Sequence, residues 1–96
     1  MESKELIIVE VFCKEYQIEI ELIDELSEFG LVPVIFEKGT KYIQVEALPH
    51  VEKVIRFHKD LNINKEGIEV VLQLLNRIEN MNLQMKHLQH KLNLYE

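Results

Sequence analysis

Cysteine occurs once in the 96 residues, at Cys13. A single thiol builds no internal disulfide and completes no zinc site alone, so a cytoplasmic protein without a disulfide framework is expected. Long apolar runs are missing too. The longest spans a few residues, as in Leu6-Ile7-Ile8-Val9, well short of the ~20 needed to cross a bilayer. Glu2 and Glu5 spoil the basic flank of a secretory signal, so no signal and no membrane segment are expected. Gly/Ser linkers, low-complexity stretches and internal repeats are absent. One small folded unit, with at most one protruding helix, fits this length.

Basic residues are scarce in one region above all. Residues 1–30 hold two bases, Lys4 and Lys14, against nine acids, while the remaining two thirds of the chain are nearly balanced. The whole net charge of −6 therefore originates in the first third. Such a surface repels phosphate backbones and anionic lipid heads.

Val9, Phe12, Cys13 and Tyr16 mark one face of a two-turn helix. After a turn at Gln17-Ile18-Glu19, Ile23, Leu26 and Phe29 line a second helix that Gly30 ends. Two short helices joined by a tight turn form a helix-turn-helix candidate. Leu6–Val9 ahead of it is short, apolar and β-branched, and predicts a brief strand or extended lead-in. The runs Val32–Phe36 and Lys41–Gln44 flank the turn Glu37-Lys38-Gly39-Thr40, which predicts a hairpin, or wing. Pro49 suits the first turn of a third helix, from about Ala47 to Leu61, with Leu48, Val51, Val54, Ile55 and Leu61 on its apolar face.

The last helix has the clearest start, with Asn64 as N-cap and Ile63 and Ile68 as a hydrophobic staple. Ile68, Val71, Leu72 and Leu75 are expected to pack on the small domain. Leu74, Ile78, Met81, Met85, Leu88, Leu92 and Tyr95 recur at alternating spacings of 4 and 3, and no proline or glycine follows Gly67. That is a heptad seam, for which a second copy of the helix is the simplest partner. A winged helix-turn-helix domain over 1–63 and a dimerisation helix over 64–96 are expected, in a mainly α fold.

Little in the chain points to catalysis. Cys13 shares an apolar helix face with Phe12, among acids that hold its thiol protonated. His87 and His90 are three apart but have no cysteine or carboxylate beside them to complete a metal site, and solvated flanks of the seam are expected. No HExxH, glycine-rich phosphate loop or G-x-S-x-G occurs. The expectation is a protein that is not an enzyme and uses no metal or cofactor. Nor does the second helix suit DNA. In a helix-turn-helix that helix enters the major groove, and here it carries Glu21, Asp24, Glu25 and Glu28, with no base between Lys14 and Lys38.

The order helix-turn-helix, wing, helix, long coiled-coil helix resembles the MerR superfamily. Glu28-Phe29-Gly30-Leu31-Val32 through Lys41-Tyr42-Ile43 is similar to its helix-to-wing signature. Where that superfamily has Arg-Tyr-Tyr-Glu ahead of Gly-Leu, this chain has Asp24, Glu25, Leu26 and Ser27. These departures resemble one branch, the chaperone-modulator (CbpM) family. Phe12-Cys13, Ile18-Glu19, Gly30-Leu31-Val32 and the stretch Asp60–Leu72 carry that likeness. The resemblance implies binding to the J-domain of a DnaJ-like co-chaperone, which keeps it from stimulating its Hsp70 partner. J-domains meet Hsp70 through a basic helix, so Glu21, Asp24, Glu25 and Glu28 are the expected contact by charge complementarity. A MerR-type DNA-binding regulator is the alternative, and a plain dimerisation module the third.

Overall fold

The computed structural model describes residues 5–95. The chain divides into two units, Met1–Lys65 and Glu66–Glu96. The first contains β1 (Leu6–Ile8), α1 (Val9–Tyr16), α2 (Ile20–Glu28), β2 (Ile35–Glu37), β3 (Thr40–Gln44) and α3 (Leu48–Lys59). A 3-10 turn, Val45–Ala47, leads into α3. The helix α4 (Lys65–Leu94) supplies the second unit. The architecture is a mainly helical winged helix-turn-helix with a long C-terminal helix.

Helix α1 buries Val9, Phe12 and Cys13, the i, i+3, i+4 face of its short amphipathic pattern. Tyr16 stacks on Phe12 with ring centroids 4.4 Å apart. Its end is a Schellman turn: the Ile18 N–H donates to the Cys13 carbonyl at 3.0 Å and that of Gln17 to Lys14 at 3.4 Å. Gln17 stands at the left-handed position of that turn, with φ 56°. The end of α2 repeats the geometry. Leu31 N–H donates to Leu26 O at 2.9 Å and Gly30 N–H to Ser27 O at 3.0 Å, and here the left-handed residue is Gly30, φ 89°. Leu26 and Leu31 are both buried.

The wing turns through Lys38 and Gly39, both at positive φ, with Glu37 opposite Thr40. That is a two-residue type I′ turn, whose twist suits the strands it joins. The first wing strand is shorter than the sequence predicts. Val32 is buried in the core, Pro33 has no N–H for a ladder, and pairing begins only at Ile35. The Leu6–Ile8 lead-in is a true strand, paired antiparallel with β3 from Leu6↔Gln44 to Ile8↔Tyr42. The sheet is therefore three-stranded, in the order β1-β3-β2.

The core of this unit joins the α1 and α2 faces to Leu31, Val32, Ile43 and the α3 residues Val51, Val54 and Ile55. Pro49 sits in the first turn of α3, as expected. Leu61 does not belong to this face. The helix stops at Lys59, the chain passes through a left-handed Asn62, and Leu61 is left 61% exposed.

In the second unit α4 runs without a break for 30 residues, about 45 Å of helix. It starts directly after Asn64, where the cap sequence places it. Ile68 is fully buried, Val71 and Leu72 are half-buried, and from Gln73 to Tyr95 every residue is exposed. Leu75, expected to pack, is 40% exposed.

Candidate partner-binding surface

The recognition-helix position is occupied by Ile20-Glu21-Leu22-Ile23-Asp24-Glu25-Leu26-Ser27-Glu28. Ile23 and Leu26 point into the core. The helical period then fixes what the other side presents, and four of its residues are carboxylates with no base among them. Glu21, Glu25 and Glu28 are exposed, and Asp24 is half-buried.

Two of the four are held inside the protomer. Asp24 takes the Lys41 ammonium of the wing at 2.7 Å, and Glu25 takes Lys65 at 3.1 Å. Lys65 also lies over the Phe29 ring, 5.5 Å from its centroid, which accounts for Phe29 being half-buried at the helix end rather than in the core. Glu21 and Glu28 form no ion pair among the described residues. The sequence reading missed both pairings. Lys41 is 17 residues from Asp24 and Lys65 is 40 from Glu25, and charge alone does not say which lysine a loop brings back.

Beside the turn of the motif lies an open hollow of about 420 Å³. Ile18 and Leu22 line it together with Glu19, Glu21 and Glu25, and His58 and Lys59 close the α3 side. The Lys59 ammonium donates to the Tyr16 carbonyl at 3.2 Å, one of the carbonyls that the end of α1 leaves without a helical partner.

The remaining chemistry-bearing residues are occupied structurally. Cys13 is buried, and burial first, then the charges of Asp24 and Glu21, push its thiol up from its ordinary value. The Tyr16 hydroxyl donates to the Glu52 carboxylate. That bond, followed by burial and the charges of Glu52 and Glu15, raises its phenol as well. The Nε2–H of His50 donates to the Leu31 carbonyl at 2.9 Å, and the Nδ1–H of His58 to that of Ile63 at 3.2 Å. His87 and His90 are exposed on α4. No trio of His, Cys, Asp and Glu among the described residues is placed to hold a metal ion. No helix among them is long and apolar enough to cross a membrane.

The expected dimer seam lies open on α4. Leu74 is 50% exposed, Ile78 54%, Met81 57%, Met85 66%, Leu88 64%, Leu92 63% and Tyr95 89%. A family model described as MerR HTH family regulatory protein matches residues 7–90, from β1 almost to the end of α4. No curated protein matches the chain.

Proposed function

The chain belongs to the MerR HTH family of regulatory proteins, and within that family we propose that it acts by binding protein rather than DNA. Its partner is the J-domain of a DnaJ-like co-chaperone, which it blocks from acting with Hsp70. It does so without chemistry, metal or cofactor, as a homodimer held by the α4 seam. One observation carries this reading: the recognition helix exposes Glu21, Glu25 and Glu28 and holds no base. A helix entering the major groove gains affinity by releasing counterions from phosphates it neutralises. Carboxylates at those positions neutralise none and repel the backbone instead. The same charges favour a basic helix, both in steering and in register. The likeness of Phe12-Cys13, Ile18-Glu19 and Asp60–Leu72 to chaperone modulators supports the choice of a J-domain. The buried, protonated thiol of Cys13 supports a non-catalytic role.

The second reading is a DNA-binding regulator of the MerR type, favoured by the family match and by the wing with Lys38 at its tip. Calorimetric titration with a J-domain from the same organism's DnaJ-like co-chaperone, at low and high salt, separates the two. Micromolar or tighter binding that weakens with salt is the expected result. No heat and no complex at high concentration overturns it and passes the assignment to DNA.

A further inference from the structure

Four of the large apolar side chains that the first unit leaves exposed come from four different elements. Ile8 precedes α1 at the end of β1 and is 41% exposed, Val11 of α1 51%, Ile20 of α2 38% and Phe36 of β2 65%. Ile8, Ile20 and Phe36 line one hollow of about 270 Å³. Val11, Ile18 and Ile20 line another of about 410 Å³. Glu10 and Ile20 line both, so the two hollows adjoin. Apolar residues exposed singly are ordinary, but a neighbouring set lining adjoining hollows marks a place of interaction.

The electrostatics around it have one dominant sign. Residues 5–30 contain eight acids and one base, Lys14. Glu10 stands where the hollows meet, and exposed Glu19 and Glu21 flank Ile20 in the chain. Of the two lysines on this face, Lys14 borders the second hollow, while Lys41 is held by Asp24 at 2.7 Å.

We infer that this face docks one amphipathic helix of a partner protein, with its apolar ridge in the two hollows and its lysines or arginines against Glu10 and Glu21. The inference rests on the partner-binding reading above for the basic character of the helix, and adds the apolar anchors that reading lacks. Apolar knobs at i, i+3, i+4 and i+7 fill a groove of this kind, and an aromatic such as Phe36 is a typical energetic centre. Nucleic acid has no ridge to offer Val11 or Phe36.

The test is an NMR titration of the isotopically labelled full chain with a synthetic helical peptide of leucines and lysines, and with the same peptide carrying glutamates for lysines. Binding of the lysine peptide is expected to shift the amides of Ile8, Val11, Ile20 and Phe36 and to weaken with salt. Phe36→Ser and Val11→Ser, both at exposed positions, are each expected to cut affinity about tenfold or more. Gln89→Ala, at an exposed position of α4 outside the seam and both hollows, leaves it unchanged. Equal binding of the glutamate peptide, shifts confined to α4, undiminished binding by both serine variants, or no binding at millimolar peptide overturns the inference. A J-domain that fails to bind removes the functional reading alone, since the peptide titration does not depend on it.

Discussion

Gln17 and Gly30 occupy equivalent left-handed positions at the ends of α1 and α2, yet only one is glycine. A side chain at that conformation costs roughly 1–2 kcal/mol through its Cβ, and a glycine returns part of that by loosening the unfolded chain. Gln17→Gly is therefore expected to stabilise the domain, and Gly30→Ala to destabilise it, each by about 1 kcal/mol. A Cβ at Gly30 meets no atom within 4 Å, so the loss there is conformational and not steric. Thermal melts check this, with opposite shifts of about 4–8 °C. A lower Tm for Gln17→Gly would show that the turn is held by something other than its backbone.

Helix α4 turns a row of residues into an element-scale property, because one seam residue matters only through its repeats. With Leu74 to Tyr95 all exposed, the far part of α4 has no packing within its own unit, and such helices are marginal in water. Wild-type protein is expected to sediment as a dimer at tens of micromolar, and Leu88→Lys as a monomer with reduced helical ellipticity. A wild-type monomer over the same range would sink self-association through this seam. Elements of this kind were legible in the sequence because their signals are local: the periods of α1 and α2, Gly30, the Lys38-Gly39 turn and the Asn64 start. What was not legible joins distant residues. Leu6–Val9 read as a brief strand or extended lead-in, but the pairing of Leu6–Ile8 with Tyr42–Gln44 was not legible. The ion pairs Asp24–Lys41 and Glu25–Lys65 and the apolar face around Ile20 depend on loop paths that no local period encodes. Leu61 failed for a related reason, since its helical spacing continues past the residue at which the backbone leaves the helix.

For the molecule as a whole, charge is the quantity with reach. Glu21→Lys with Glu28→Lys raises the net charge from −6 to −2 without touching the pairs at Asp24 and Glu25. Calorimetry is expected to show J-domain affinity reduced at least tenfold and its salt dependence flattened, with folding stability within about 0.5 kcal/mol. Unchanged affinity would remove α2 from the contact. Reversing Asp24 or Glu25 is a poorer probe, because each reversal sets two cations together at Lys41 or Lys65. The pairing of β1 with β3 also closes a long loop: backbone hydrogen bonds join the Ile8 end of β1 to Tyr42 around α1, α2 and the first wing strand, at a cost of about 3 kcal/mol in chain entropy. Three residues of β1 thus moor the start of the helix-turn-helix to the wing, and the recognition helix owes part of its fixed place to a strand that lies outside the motif.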